Sequence, residues 1–238
     1  MVCSFVDPQK IKEWIDVCRM MKVFDSMVCF KFTEKELTIQ MVHVTKYCVL
    51  EIRFPNTWFS SYEWEECEFY IDTESLYTIF SLYSGEKMIS MEREKRALAI
   101  KMFHEDQKKH FSIPIQFQRQ SLLYIEPNEG FDGLISPLYL HGLCDQLSQF
   151  GNTVTISIRP DLFHLTTYRT EKMLVEVNAE KITRLKEAEI EGSFDLYYLM
   201  MFLNFASFHP QVSLGLSEFL HLSMEKEYVI HYYVSPKK

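Results

Sequence analysis

Two stretches of sequence decide the fold: PQKIKEWIDVCRMM at residues 8–21 and PLYLHGLCDQLSQF at residues 137–150. Each opens with a proline, and in each the apolar residues stand 3, 6, 7, 10 and 13 positions after it. This spacing puts the apolar side chains on one face of an α-helix, and proline is favoured in the first helical turn. The sequence therefore predicts two amphipathic helices of one pattern, one in each half of the chain.

A second helical pattern also occurs twice. Asp72 and Asp195 are each followed by apolar residues 4, 7 and 8 positions later. A short side-chain oxygen at Asp72 or Thr73 can cap the second helix of the first half, because it accepts from free first-turn N–H groups. We expect this helix to end near Ser84 and Gly85. Alternating, strand-like segments fill the rest of each half. This duplication predicts an α+β fold of two similar domains, each with two helices packed on antiparallel sheets.

The best domain boundary is residues 118–130, where Pro127, Asn128 and Gly130 are turn residues. We expect an N-terminal domain at residues 1–117, a connecting linker at 118–130 and a C-terminal domain at 131–238. The middle of the linker, LLYI, is apolar, so it either packs on the protein body or forms a wall of a binding groove. Pro114, in the alternating segment just before the linker, predicts an edge strand because proline cannot donate to a ladder.

Composition limits the class of protein. The 238 residues carry a net charge of −8, which repels nucleic acid unless basic residues are concentrated on one face. No run of about 18 apolar residues occurs, and the N-terminus has no signal-peptide pattern. We therefore expect a protein that is neither membrane-bound nor secreted. The 6 cysteines form no C-x-x-C pair, which indicates reduced, buried thiols.

Motifs of enzymes are absent from the sequence. It contains no G-x-S-x-G, no P-loop, no G-x-G-x-x-G and no H-E-x-x-H. The 8 histidines are scattered, and His and Cys never take short metal-ligand spacings. The acidic clusters at residues 63–68 and 187–191 are typical of solvated surface, although carboxylates can also pair in space. We expect no enzymatic activity, no metal and no cofactor.

Several segments resemble DNA sliding clamps of the proliferating cell nuclear antigen (PCNA) family. They are LTIQMVHV at 37–44, VLEI at 49–52, WFSSY at 58–62, FYIDTESL at 69–76, GEKMISME at 85–92, LSQFGNTVTIS at 147–157 and YYVSPK at 232–237. The last segment is similar to the family's Y-Y-L-A-P-K ending. Because order and spacing match from about residue 5 to 238, the chain resembles a divergent member of the family, with a virus as one source to consider.

The resemblance implies a clamp fold whose subunits join head to tail into a ring, a homotrimer, with four helices per subunit lining a central hole. Such clamps encircle duplex DNA and tether polymerases and repair enzymes through short peptide motifs, with a clamp loader as a further partner. The implied location is the nucleus or another intracellular replication site. The implied subunit edges are residues 110–117 and 172–178, with contacts at His110, Phe111, Ile113, Ile115, Met173, Val175 and Val177.

Clamps line their hole with Lys and Arg, because phosphate contacts hold DNA without reading its sequence. The resemblance places these contacts on the first helix, at Lys10, Lys12, Arg19 and Lys22. In the other three helices the family's basic positions are occupied by Thr78, Ser81, Gly142, Asp145, Tyr197 and Asn204. Two alternatives stay open: a subunit of a heteromeric, checkpoint-type clamp, and a clamp-like protein-binding scaffold with weak DNA contact.

The resemblance also implies a groove for client peptides. Its residues are Val42, His43, Leu122, Leu123, Tyr124, Ile125, His221, Tyr233, Ser235 and Pro236. His221 stands where the family has a proline that shapes the pocket, so we expect a changed client preference.

Overall fold

A computed structural model describes residues 1–117, 123, 125, 131–159, 162–168, 172–177, 179–184, 190–204 and 209–237. The chain divides into two compact units. The first comprises Met1–Val44 and Glu51–Leu123, and the second comprises Thr45–Leu50 and Tyr124–Lys238. In these described ranges no helix is both long and apolar enough to cross a bilayer.

The first unit contains two helices and two sheets. Its elements are β1 (Val2–Phe5), α1 (Pro8–Phe24), β2 (Met27–Phe32), β3 (Glu36–Val42), β4 (Cys48–Pro55), β5 (Ser61–Glu63), β6 (Cys67–Asp72), α2 (Thr73–Phe80), β7 (Met88–Arg93), β8 (Ala97–Phe103) and β9 (Lys108–Pro114). One antiparallel sheet has the order β5-β1-β7-β8-β9. In the other, β4, β3, β2 and β6 are neighbours in that order, and the first residues of β4 belong to the second unit.

Both helices of the first unit begin at an aspartate cap. Asp7 accepts from the N–H of Gln9, and Asp72 accepts from the N–H of Ser75. The cap at Asp72 is therefore confirmed, and α1 continues beyond residue 21 to Phe24. However, α2 ends at Phe80 and not near residues 84–85 as predicted. The N–H groups of Leu82 and Tyr83 bond to carbonyls three residues back, which tightens the last turn.

Trp14 lies at the centre of the first unit's core. Its side chain is fully buried. Its ring centroid lies within 6.3 Å of five aromatic rings, those of Phe5, Phe30, Phe54, Trp58 and Phe80. Aromatic contacts of this kind each contribute about 0.5–1.5 kcal/mol beyond burial. Because Trp14 fixes the rotation of α1, the polar face of this helix stays exposed.

The second unit repeats the plan. Its elements are β10 (Gly133–Ile135), α3 (Pro137–Ser148), β11 (Thr153–Arg159), β12 (Leu162–Tyr168), β13 (Lys172–Val177), β14 (Ile182–Arg184), β15 (Ile190–Asp195), α4 (Leu196–Leu203), β16 (Val212–Leu216), β17 (Leu220–Glu225) and β18 (Val229–Val234). One sheet has the order β13-β12-β11-β15, and β14-β10-β16-β17-β18 are neighbours in the other. The predicted fold class, α+β with a pair of helices and antiparallel sheets in each half, is confirmed.

The helices of the second unit are also capped by side chains. Ser136 accepts from the N–H of Tyr139, and Asp195 accepts from the N–H of Tyr197. The helix α3 ends at Ser148, two residues before the predicted end, because the following N–H groups again bond three residues back. The two helices pack together, and the Phe202 ring of α4 stacks on a tyrosine of β18 with centroids 4.7 Å apart.

The cysteines are core residues in both units. All 6 are buried as free thiols, as expected from their apolar surroundings. Burial raises the pKa of the Cys29 and Cys144 thiols to about 12. Since the thiolate is the reactive form, these residues act as small hydrophobes and not as nucleophiles.

Candidate nucleic-acid interface and partner-binding surfaces

Two of the four basic residues predicted on α1 hold the protein together. The Lys10 ammonium donates to the Trp58 carbonyl at 2.8 Å and lies 5.6 Å from the centroid of that ring. The Lys22 ammonium pairs with Glu74 of α2 at 2.9 Å and lies 5.0 Å from the Tyr77 ring centroid. These contacts join α1 to neighbouring elements, and they reduce the charge that either lysine can offer to a phosphate.

Lys12 and Arg19 form the exposed basic face of α1. They are seven residues apart, which is about two helical turns, so they share a side of the helix. Arg19 pairs with Asp16 at 3.2 Å, and both residues remain partly exposed to solvent. Desolvation raises the pKa of Asp16 despite the opposing charge of Arg19. Within the described ranges Lys12 has no ion pair or hydrogen bond through its ammonium, so its charge is available to a ligand.

The other three helices carry no Lys or Arg in their sequences, TESLYTIF, PLYLHGLCDQLS and LYYLMMFL. Their exposed positions are neutral or acidic. On α3, His141 bonds to the Asn204 side chain at 3.1 Å, and on α4 the Tyr197 side chain is 62% exposed. The positive charge of the four α-helices is therefore concentrated on α1. In α2, α3 and α4 no neighbouring residue of the helix replaces the basic residues that the family has.

Both predicted subunit edges are the last strands of their sheets. β9 is the outer strand of the five-stranded sheet, and β13 is the outer strand of the four-stranded sheet. The edge position predicted from Pro114 is confirmed. Each strand thus has one row of backbone N–H and C=O groups outside its own ladder, which is a template for pairing with another chain.

The side chains predicted for these edges divide into two groups. Ile113, Ile115 and Val177 are buried within their own units. The accessible members are His110, which is exposed, and Phe111, Met173 and Val175, which are half-buried. Leu174 on β13 is exposed and was missed by the sequence reasoning, which followed the alternate residues of that strand.

In the first unit, the predicted groove residues lie beside β3. Val42 is exposed at the end of that strand, and the His43 ring packs on Phe24 with centroids 5.7 Å apart. Leu123 is 50% exposed, and its backbone is held by the Gln40 side chain at 2.7 and 2.8 Å. Ile125, which belongs to the second unit, is half-buried. Leu122 and Tyr124 lie outside the described residues.

In the second unit, His221 is only 2% exposed and stacks on Tyr233 with ring centroids 4.4 Å apart. Its Nε2 lies 3.1 Å from the Nδ1 of His231, and Phe131 packs nearby at 4.9 Å between centroids. Burial, with a smaller effect from His231, lowers the pKa of His221 to about 4. His221 stands where the PCNA family has a proline. In this chain its neutral imidazole stacks on the Tyr233 ring instead.

A cavity of about 650 Å³ lies in the second unit beside the C-terminal segment. It is lined by Lys46, Tyr47, Asp195, Tyr198, Ser235, Pro236 and Lys237. The N–H of Ser235 donates to the Tyr47 carbonyl at 2.8 Å, and the Tyr47 and Tyr198 rings are 6.1 Å apart. Sequence reasoning found Ser235 and Pro236 but missed both tyrosines, because contacts across some 150 residues leave no local signal.

In the described part of the chain no three or more His, Cys, Asp or Glu side chains are grouped to hold a metal ion. The surfaces above consist of exposed cations, open strand edges and a partly apolar cavity. These features are suited to association with a polyanion, with other chains and with peptides.

The two units repeat one plan, a helix pair on antiparallel sheets. No protein-family model and no curated protein sequence matches the chain. Solved structures match it along its whole length, among them PCNA from Thermococcus kodakaraensis, with a TM-score of 0.85, 11% identity and 99% of each chain covered. PCNA from Entamoeba histolytica matches with a TM-score of 0.84, 16% identity and coverage of 100% and 98%.

A PCNA2–PCNA3 complex from Sulfolobus tokodaii also matches, with a TM-score of 0.83, 14% identity and coverage of 100% of this chain and 99% of the other. At these identities the likeness shows the fold alone. The chain therefore has the PCNA sliding-clamp fold, with a sequence that diverges widely from these structural neighbours.

Proposed function

We propose that the chain is a DNA sliding clamp, a processivity factor that encircles duplex DNA and tethers replication and repair enzymes. The observation that carries this proposal is the end-to-end likeness to PCNA structures, whose TM-scores lie between 0.83 and 0.85. On this proposal the chain is a non-catalytic scaffold, and its partners are a polymerase, other clamp-binding proteins and a clamp loader. Its proposed location is the nucleus or another intracellular replication site.

A ring follows from pairing β9 of one subunit with β13 of the next. Both strands are open edges, and rotational closure of a head-to-tail contact leaves no edge unpaired. Half-buried Phe111 on β9 and Met173 on β13 supply apolar contact. A homotrimer is the arrangement that we propose first.

DNA contact in the ring is assigned to the exposed face of α1. The Lys12 ammonium has no partner among the residues that the structure describes, and Arg19 has donors beyond those used by Asp16. Few cations are available on the helices of one subunit, and the net charge of the chain is −8. Both indicate weak, sequence-independent contact with DNA. Weak contact is compatible with a sliding clamp, because retention depends on ring closure and not on affinity.

Retention on closed DNA tests the proposal directly. The protein is diluted until the ring dissociates and is reconcentrated with nicked circular plasmid, so that rings can close around the DNA. Half of each sample is then linearised with a restriction enzyme before gel filtration at high salt. A ring stays with the circle and slides off the linear DNA. Equal loss from both forms supports the protein-binding scaffold instead, and equal retention on both shows ordinary DNA binding.

A heteromeric clamp is the second candidate function. The restriction of helical Lys and Arg to α1 favours it, because partner subunits could supply the missing cations. The Sulfolobus tokodaii match is itself described as a PCNA2–PCNA3 complex. The oligomeric state of the purified chain distinguishes the two candidates.

Client proteins are proposed to bind through a short peptide. The cavity beside Tyr47, Ser235 and Pro236 supports this proposal, since it combines aromatic surface with polar groups at its edges. In the first unit the exposed Leu123 and Val42 are the proposed contacts. The proposal is tested by calorimetry with a peptide of the PCNA-interacting type, which has an aliphatic residue and aromatics within one helical turn. No measurable binding to the wild-type protein overturns it.

A further inference from the structure

The Gln40 side chain of β3 makes an unusual pair of contacts with a distant backbone. Its Nε2 donates to the Leu123 carbonyl at 2.8 Å, and its Oε1 accepts from the Leu123 N–H at 2.7 Å. The two groups thus exchange both hydrogen bonds, as two backbone residues do in a hydrogen-bonded pair of an antiparallel sheet. A side-chain amide takes the place of a strand and holds residue 123.

The environment of Gln40 fixes the orientation of its amide. The side chain is 4% exposed, and the Nε2 also donates to Glu51 at 2.9 Å. A carboxylate only accepts hydrogen bonds, so it directs the NH₂ group toward itself and leaves the carbonyl oxygen for the Leu123 N–H. Both amide hydrogens are then used, and the amide is fully paired only when Leu123 is in place.

Glu51 is itself held in position. It is 6% exposed, and Arg53 reaches its Oε1 through Nε at 2.7 Å and through Nη2 at 2.6 Å. Both arginine nitrogens contact the same oxygen, and the other oxygen, Oε2, accepts from the Gln40 amide. Arg53, Glu51, Gln40 and Leu123 thus form one continuous chain of hydrogen bonds, all within the first unit.

We propose that Gln40 is a positioning residue for client binding: it fixes the backbone at residue 123 so that the exposed Leu123 side chain is presented as a preformed anchor. This inference rests on the proposed client site. A preformed anchor raises affinity because less conformational freedom is lost on binding. Without the amide contact, residue 123 must be ordered when the client binds, which weakens affinity about tenfold if ordering one residue costs 1–2 kcal/mol.

Two variants and a control test the proposal. Gln40→Leu removes all three hydrogen bonds at similar size, and Gln40→Glu keeps an acceptor but places a carboxylate next to that of Glu51. Protonation at low pH returns a donor to the Gln40→Glu variant, so its defect is expected to decrease as the pH falls. The control is Thr38→Val, on the same face of β3, whose hydroxyl bonds only to Glu36 among the contacts described.

The first readout is amide hydrogen exchange at residue 123, which needs no client. Exchange there is expected to accelerate at least tenfold in Gln40→Leu, with unchanged exchange in β8 and unchanged behaviour of Thr38→Val. The second readout is calorimetry with a client peptide, where about tenfold weaker binding is expected. Unchanged exchange at residue 123 overturns the inference, whatever the peptide does.

Accelerated exchange with unchanged peptide affinity also overturns the inference, because Leu123 is then held but not used. If the wild-type protein binds no peptide, the proposed client site itself fails. The exchange measurement still decides separately whether Gln40 holds the backbone. Rescue of affinity in Gln40→Glu at low pH, relative to the wild type at the same pH, distinguishes the hydrogen bonds from a general packing defect.

Discussion

Neutralising Glu86 is expected to destabilise the first unit by a pH-dependent amount. Glu86 follows α2 and is 2% exposed. Lys109 on the edge strand β9 pairs with it at 2.5 Å, and the N–H and hydroxyl of Ser84 donate to the same carboxylate. Burial alone raises the pKa of a carboxyl group, but the hydrogen bonds from Lys109 and Ser84 dominate and lower the pKa of Glu86 to about 2.

The magnitude follows from that pKa. The ordinary value is 4.5, and each unit of difference corresponds to about 1.4 kcal/mol. Because the folded-state pKa is depressed, the stabilisation is complete above pH 4.5 and is lost as the pH falls through about 2. This gives about 3 kcal/mol at pH 7 and, by the same linkage relation, about 1.4 kcal/mol at pH 3. The free energy of unfolding of the Glu86→Gln variant is therefore expected to be lower than that of the wild type by about 3 kcal/mol at pH 7. At pH 3 the difference is expected to be only about 1.4 kcal/mol.

Urea unfolding followed by tryptophan fluorescence measures this difference. All 3 tryptophans, Trp14, Trp58 and Trp64, lie in the first unit, so their emission reports on that unit. The matched control is Glu105→Gln, which removes a carboxylate from an exposed pair with Lys87 and is expected to change stability by less than about 1 kcal/mol. An equal loss for Glu86→Gln at pH 7 and pH 3, or no loss at either, refutes the reasoning.

Three further predictions concern the assembly and its ligands. Phe111→Ala is expected to shift the oligomer to folded monomers, since truncating an interface anchor typically costs about 2–4 kcal/mol; Trp64→Ala is the control, and an unchanged mass by light scattering contradicts the prediction. Lys12→Ala with Arg19→Ala is expected to reduce the salt slope of DNA binding by about one to two units, whereas the exposed pair Lys35→Ala with Lys95→Ala leaves it unchanged; identical slopes for both double variants show that α1 is not the DNA face. Tyr233→Ala is expected to weaken client-peptide binding, because it removes the ring that stacks on His221 beside the proposed site; calorimetry that finds equal affinity for variant and wild type excludes this ring from the site.

The helix pairs were predictable because their signals are local. The apolar spacing after Pro8 and Pro137 and the caps at Asp72 and Asp195 lie within a few residues of the elements that they specify. The helix ends were less predictable. A change from bonds four residues back to bonds three residues back, as after Phe80, leaves little trace in the apolar pattern.

The short strands were missed for a different reason. β1, β5, β10 and β14 have three or four residues each, too few to establish an alternating pattern. β6 was also missed, although its buried residues Cys67, Phe69 and Ile71 alternate with less buried neighbours. A short strand is stabilised by the neighbouring strands of its sheet, and the sequence alone does not show which strands are neighbours.

The site residues show the same limit. The basic positions on α1 could be read from the sequence, but the contact of Lys10 with Trp58 joins residues 48 positions apart. The contact of Gln40 with Leu123 spans 83 positions. Such contacts decide which charges are free and which segments are fixed. The periodicity of apolar residues predicts which face of a helix or strand is buried. It does not predict which distant residues that face contacts.

The solution mass of the purified chain tests the central proposal most directly. Light scattering after size exclusion gives this mass without a DNA or client ligand. The protein is measured at tens of micromolar, the order of magnitude at which a contact of micromolar affinity is well populated. The proposed homotrimeric ring predicts three times the 28.4 kDa of one chain. A mass of 28.4 kDa at every concentration contradicts a self-sufficient ring.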